Sequence, residues 1–223
     1  MRFREAAGAD AMAVARLHAE SWRAFYRGAY RDEYLDGDIV EDRLRVWEER
    51  LLTPAPDQFV VLAEDDDELI GFACAYGGHD DAWGSFLDNI HVRPEYQRRG
   101  VGARLLAEVA AWCHANYADC GLYLWVLEQN RGAQRFYQRL GASDQGGEIS
   151  SPPGGGQIHG RRYAWKTVPD IPRPGAGRCR FHCQTSKKIA RSFRGCPEFL
   201  MSLRGRNAEA RAPVLASYED LAG

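Results

Sequence analysis

Long apolar segments are missing from this sequence of 223 residues. No apolar run approaches the roughly 20 residues that a membrane-spanning helix needs, so we expect a soluble protein with no membrane partner. A signal peptide is also missing after the first, strand-like residues, which predicts a cytoplasmic location. Apolar residues nevertheless make up 45% of the chain, which is enough for one sizeable core.

Regularly spaced cysteines are missing as well. The sequence has six cysteines, and their spacing fits neither a disulfide framework nor a standard zinc site, so we expect no metal. Cys74, Cys113 and Cys120 lie inside apolar segments, where a cysteine is most simply a small core residue. We therefore expect a reducing compartment. The cysteines are Cys74, Cys113, Cys120, Cys179, Cys183 and Cys196, with His182 beside the fifth.

A strong net charge is the third absence, since the formal charge is -2. The charges are unevenly distributed: residues 1–167 carry 26 acidic and 19 basic side chains, whereas residues 168–223 carry 5 and 10. An acidic main domain does not favour nucleic acid and mildly favours a cationic amine as partner. Residues 168–223 begin with prolines and glycines, and we predict a linker followed by a basic, disordered extension.

A glycine-containing loop at residues 97–102 is the most informative feature present. An apolar strand pattern precedes it and a helical pattern follows it, so Gly100 and Gly102 lie at the start of a helix. Unbonded N–H groups and the helix dipole favour an anion there, and glycine lets the backbone approach it. The loop lacks the Lys-Ser/Thr of a Walker A motif, and Leu105 replaces the third glycine of a dinucleotide fingerprint. We expect a phosphate or pyrophosphate ligand, with a plain helix cap as the alternative.

A second segment, residues 130–141, predicts a short helix. Asn130 is a suitable N-cap and Gly141 a suitable C-terminal residue. Its apolar positions recur at helical spacing and are Ala133, Phe136, Tyr137 and Leu140. Taken alone, this pattern indicates ordinary core packing.

Together the two segments resemble the motifs of the GNAT superfamily of acyl-CoA-dependent N-acyltransferases. The first reads Gln-x-x-Gly-x-Gly and the second Asn-x-x-Ala-x-x-Phe-Tyr-x-x-x-Gly, in the family's order. The resemblance covers residues 1–167 and implies an α/β (α+β) fold. That fold has a mixed, mostly antiparallel central sheet of about seven strands flanked by helices, splayed between strands 4 and 5. The sequence patterns predict strands at 1–6, 58–63, 69–76, 86–92, 122–127, 142–149 and 157–167, and helices at 10–26, 39–52, 103–116 and 130–141.

The resemblance further implies acetyl-CoA as the cosubstrate, with no metal. Its pantetheine arm would enter between strands 4 and 5 and pair with the backbone of Ile90, His91 and Val92, while the side chains of Ile90 and Val92 stay in the core. Its pyrophosphate would bind N–H groups of the loop, with an arginine such as Arg104 nearby; for each arginine a solvated helix face is the alternative. The other expected cofactor-binding residues are Arg98, Arg99, Gly100, Val101, Gly102, Ala103, Asn130 and Tyr137.

Transfer from a thioester to an amine requires proton removal from the amine, oxyanion stabilisation and a proton for the thiolate. Tyr137 matches the tyrosine that many family members place near the cofactor sulfur as general acid, and packing against the cofactor is the alternative. A backbone N–H of Ile90 or His91 would stabilise the oxyanion. The resemblance does not fix the base: we prefer Asp88, or a water that it holds, with His91 and Glu20 as other candidates.

Strand alternation gives one further expectation for this region. It predicts that Asp88, Ile90 and Val92 point to one face of strand 4, opposite Asn89 and His91. The resemblance also implies that the first two helices and the last hairpin shape the acceptor site, together with the Pro- and Gly-rich loop at residues 151–156, which we expect to be flexible.

The sequence therefore predicts an N-acetyltransferase, an acyltransferase that moves an acetyl group to a primary amine of a small molecule or peptide by direct attack through a tetrahedral intermediate. A non-catalytic acyl-CoA-binding sensor or scaffold is the alternative. The sequence leaves a homodimer open.

Overall fold

Seven strands form one mixed sheet: β1 (Arg2–Glu5), β2 (Gln58–Asp65), β3 (Glu68–Asp80), β4 (Gly84–Val92), β5 (Leu122–Leu127), β6 (Ser143–Ser150) and β7 (Ile158–Trp165). The computed structural model describes residues 1–150 and 157–172. The strand order is β1-β2-β3-β4-β5-β7-β6, with β4 and β5 parallel and all other neighbours antiparallel. The predicted fold class is confirmed.

The described residues also contain five α-helices: α1 (Ala11–Phe25), α2 (Asp32–Asp36), α3 (Ile39–Leu52), α4 (Val101–Asn116) and α5 (Arg131–Arg139). Four of them were predicted; α2 has five residues, too few for a helical period to appear in the sequence. None of these helices has the length and apolar character needed to cross a membrane.

Two predictions concern the ends of the described chain. Next to the predicted boundary at residue 167, Val168 is buried in the core and Ile171 packs against the same core. The predicted loop at residues 151–156 lies outside the described residues. So does most of the predicted extension, from residue 173 onward, with Cys179, His182, Cys183 and Cys196.

The two faces of the sheet bury different kinds of side chain. We call the face beneath α4 and α5 the aliphatic face; its core includes Ile90, Leu105 and Val109. We call the face beneath α1 and α3 the aromatic face; its core includes Trp22, Trp47 and Phe72. Burying one such large apolar side chain contributes roughly 1.5–3 kcal/mol, so both faces hold the helices firmly against the sheet.

The sheet opens between β4 and β5. These strands pair only at Ser85–Leu122, Phe86–Tyr123 and Leu87–Leu124, after which they separate. A β-bulge lies at this point, because Cys74 of β3 pairs with Asn89 and Ala75 pairs with Leu87, which leaves Asp88 as the extra residue. A bulge bends its strand, so Asp88 marks the position where β4 turns away from β5.

Candidate active site

The main chain of β4 lines the opening beyond Asp88. On the opposite edge of β4, Ile90, His91 and Val92 pair with β3, whereas no residue of β5 pairs with them. Their main-chain groups that point away from β3 therefore face the opening. The side chains of Ile90 and Val92 are buried in the aliphatic core, as predicted.

The glycine loop follows β4 at one end of this opening. The Gln97 side chain donates a hydrogen bond to the Val92 carbonyl (3.3 Å) and so ties the loop to the strand. Arg98 and Gly100 have left-handed backbones, with φ values of 57° and 81°. Glycine adopts this conformation readily, whereas Arg98 must be held there by its neighbours.

The loop presents main-chain donors at the N-terminus of α4. The first hydrogen bond of the helix runs from the Arg104 amide to the Gly100 carbonyl (3.0 Å), and Gly100 is an N-cap without a side-chain cap bond. The amides of Val101, Gly102 and Ala103 precede that bond and have no intrahelical acceptor. Three consecutive N–H groups at the positive end of a helix dipole suit a phosphate group.

The arginines around the loop differ in their contacts. Arg98 and Arg99 are exposed, and the Arg99 guanidinium lies 5.2 Å from the centre of the Tyr96 ring. Arg104 instead forms an ion pair with Glu108 at 2.6 Å. Arg98 and Arg99 are therefore better placed than Arg104 to meet an anion.

Tyr137 and Asn130, on the aliphatic side, each carry a buried polar atom with no hydrogen-bond partner in the described part of the chain. For Tyr137 it is the hydroxyl; burial raises the pKa of this phenol, so it keeps its proton at physiological pH. For Asn130 it is Nδ2, because Oδ1 already caps α5 by accepting from the Ala133 amide (2.9 Å). An unpaired buried polar group costs about 1–3 kcal/mol, so both atoms fit a site that a polar ligand completes.

Asp88 points to the aromatic face together with Asn89. Arg50 Nη1 donates to Asp88 Oδ2 (2.7 Å) and to Asn89 Oδ1 (3.0 Å). The prediction that Asp88 shares a face with Ile90 and Val92 is wrong, because the bulge shifts the alternation by one residue. Sequence reasoning also missed Arg50, although its position three residues after Trp47 on α3 was an available signal.

In the Asp88–Arg50 pair the carboxylate is buried and the arginine is partly buried. Asp88 is 3% exposed, and the Arg50 side chain 20%. Burial alone would lower the pKa of Arg50, but the charge and hydrogen bond of Asp88, together with smaller effects of Cys74 and Tyr76, raise it. Among the described residues, no hydrogen bond reaches the second oxygen of Asp88, Oδ1.

The other two candidate bases are in different environments. His91 lies on the aromatic face with its ring centre 4.7 Å from that of His18, and burial lowers its pKa to about 3. Trp47 Nε1 donates to His18 Nδ1 (3.0 Å), which places the His18 proton on Nε2. Burial, and then the neighbouring His91, lower the pKa of His18 too. Both imidazoles are therefore neutral and weakly basic, while Glu20 is exposed on α1.

A groove of about 670 Å³ lies between β1, β2 and the start of α4. Phe3, Phe59 and Val61 line it, together with Arg99 and Gly100 of the glycine loop. Three arginines line it, Arg4, Arg99 and Arg104, and of these Arg4 is paired with Asp10 and Glu64. Within residues 1–150 and 157–172, no cluster of three or more acidic, histidine or cysteine side chains is arranged to hold a metal ion.

Known proteins are similar to this chain in sequence and in fold. The acetyltransferase (GNAT) family model matches residues 14–142. The uncharacterized N-acetyltransferase YuaI of Bacillus subtilis is 30% identical over 139 residues, which are 60% of this chain and 76% of YuaI. Aminoglycoside N(6')-acetyltransferase type 1 of Salmonella typhimurium is 29% identical over 143 residues, 59% of this chain and 90% of that protein.

The solved structure of YncA from Salmonella typhimurium, with acetyl-CoA, has a TM-score of 0.57 at 18% identity. The match covers 79% of this chain and 99% of YncA, and at 18% identity it supports the fold alone. The match of the family model over more than half of the sequence supports more than the fold. This chain belongs to the acetyltransferase (GNAT) family.

Proposed function

We propose that this protein is an N-acetyltransferase that moves the acetyl group of acetyl-CoA to a primary amine of a small molecule or peptide. The observation that carries the proposal is the opening between β4 and β5, which begins after the Leu87–Leu124 pair. The glycine loop borders it, and α5 contributes the unpaired Tyr137 hydroxyl. The N-acetyltransferase activity named for the relatives agrees with this assignment.

The residues at the opening fit acetyl-CoA, which would supply an activated acetyl thioester. The outward main-chain groups of Ile90, His91 and Val92 would bind the pantetheine amides, as a strand partner would. The amides of Val101, Gly102 and Ala103 would bind the pyrophosphate, with Arg98 and Arg99 at its solvent side. Asn130 Nδ2 would donate a hydrogen bond from the α5 side.

The proton transfers are assigned by protonation state. Tyr137 would donate to the departing thiolate, because burial keeps the phenol protonated. Asp88 Oδ1, directly or through a water, would accept the proton of the amine. Since Arg50 stabilises the carboxylate, Asp88 would pass this proton on to solvent. A main-chain N–H of Ile90 or His91 would stabilise the oxyanion.

Isothermal titration with acetyl-CoA tests the proposal, using wild type and the variant Gly100→Asp. The added carboxylate would repel a phosphate at the loop. Gly28→Asp is a matched control, because both glycines have φ of 81° and open space around an added Cβ. Any cost of the left-handed backbone is therefore common to both variants.

We expect wild type and Gly28→Asp to bind with Kd on the order of 1–100 μM, and Gly100→Asp to bind at least about tenfold more weakly. Release of free CoA thiol in the presence of primary amines then measures transfer. Folded wild type that fails to bind acetyl-CoA at roughly millimolar concentration would contradict the proposal.

A further inference from the structure

A guanidinium lies between two indole rings on the aromatic face of the sheet. Arg162 Cζ is 4.6 Å from the ring centre of Trp83 and 4.4 Å from that of Trp125. Arginine stacks well on aromatic faces, and such contacts hold the planar group in one orientation. We call Trp83, Arg162 and Trp125 the cation stack.

The fold brings the cation stack to the opening. Arg162 of β7 pairs with Trp125 of β5, and Trp125 is the first residue after Leu124, where the pairing of β4 and β5 ends. Neighbouring strands lie about 4.8 Å apart, so the Arg162 backbone is roughly one strand spacing from the edge of the opening. Trp83 precedes β4 in a turn that Asp80 holds by accepting from the Trp83 amide (2.9 Å).

The charge of Arg162 is not balanced within the described residues. Its Nε is buried without a hydrogen-bond partner, and no acidic side chain of residues 1–150 or 157–172 forms an ion pair with it. The preceding residue, Arg161, differs: it binds Asp144 at 2.8 Å and Glu128 at 3.4 Å. A guanidinium held in one orientation can donate two N–H groups at once to a planar carboxylate, which accepts both hydrogen bonds.

Charges of both signs surround this part of the opening. The pKa of Tyr123 is raised to about 12, first by burial and then by the charge of Asp80; Arg162 lowers it and Asp88 raises it, each by less. Tyr123 is therefore within electrostatic range of two carboxylates and one guanidinium. Such a region suits a molecule that carries an ammonium and an anionic group close together.

We propose that the cation stack binds a carboxylate of the acceptor. The acceptor, under the N-acetyltransferase function on which this rests, is then an amine that also carries a carboxylate, such as a free amino acid or a short peptide. A carboxylate on Arg162 would direct the amine toward Asp88 and the acetyl group. A purely polycationic amine would instead leave Arg162 unpaired and be repelled by it.

Matched acceptor pairs test this inference. The pairs are L-lysine and 1,5-diaminopentane, L-phenylalanine and 2-phenylethylamine, and glycyl-phenylalanine and its C-terminal amide. In the pair that contains the best acceptor, we expect kcat/KM to favour the carboxylate-bearing member by roughly 10- to 100-fold, the range for a charge-assisted hydrogen-bonded pair.

Variants identify the side chain responsible. Arg162→Gln is expected to bring the ratio within each pair close to one, and Arg162→Lys to restore part of it, because the charge returns without the planar group. Arg161→Gln, which removes the ion-paired arginine one residue before Arg162, should leave the ratio unchanged. Urea unfolding of each variant separates a loss of packing, which lowers stability but leaves the ratio intact, from a loss of recognition.

Three results would overturn the inference. They are a ratio that Arg162→Gln does not change, equal or better turnover of the carboxylate-free members, and no acetylation of any carboxylate-bearing amine by a protein that binds acetyl-CoA. Failure of the wild type to bind acetyl-CoA is a different result, since it contradicts the proposed function and this inference with it.

Discussion

The aliphatic and aromatic faces of the sheet differ in the polar atoms that they leave unpaired. On the aliphatic side these belong to Tyr137 and Asn130, both on or beside α5 and both in the family motif. On the aromatic side, His18 Nε2, Trp22 Nε1 and Asn89 Nδ2 lie buried without a partner in the described chain. The aliphatic face thus offers a few groups suited to one constant ligand, acetyl-CoA. The aromatic face carries these three, together with Arg162 Nε, on the side where we propose that the acceptor binds.

The largest expected effect comes from Tyr137→Phe, which removes a hydroxyl from the aliphatic side without changing the shape of the core. If Tyr137 is the proton donor, kcat should fall roughly 10²–10³-fold while the Kd for acetyl-CoA changes little. Steady-state kinetics beside calorimetry measures both. A variant with full kcat would show that Tyr137 only packs, and the matched change Tyr163→Phe, on neighbouring β7, should be nearly silent.

The aromatic face should make the protein sensitive to acid. His91 has a folded pKa of about 3, below the 6.5 of an unperturbed histidine, so the unfolded chain binds its proton first as the pH falls. Stability from this neutral imidazole is therefore complete above pH 6.5 and decreases as the pH drops toward 3. Between about pH 7.5 and about pH 5 the loss should be about 2 kcal/mol.

Urea unfolding of His91→Gln at these two pH values checks the expectation. The variant should lose about 2 kcal/mol less than wild type over the interval. His114→Gln, at an exposed histidine on α4, should behave like wild type. Equal acid sensitivity of wild type and His91→Gln would assign the effect to other groups.

The same contrast between faces explains what the sequence could and could not predict. Apolar patterns located α3 at its observed bounds, and a continuous apolar run located β5 residue by residue, because apolar side chains need only burial. The glycine loop and the α5 cap were predictable because they use local backbone chemistry. The bulge at Asp88 was not, since it depends on the register between β3 and β4. The Arg50 pair and the cation stack were missed for the same reason: their partners are distant in sequence.

The smallest expected effect comes from substitutions of Asn130, which distinguish its two roles. Its Oδ1 caps α5, whereas its Nδ2 has no partner in the described chain. Asn130→Ser keeps a good cap but removes the amide donor, so stability should change little while acetyl-CoA binds more weakly. Asn130→Ala removes both and should also lower the unfolding free energy by about 1 kcal/mol. Calorimetry and urea unfolding of the pair distinguish these outcomes. If Asn130→Ser binds acetyl-CoA as wild type does, Asn130 serves the helix alone, and Tyr137 remains as the α5 side chain that meets the ligand.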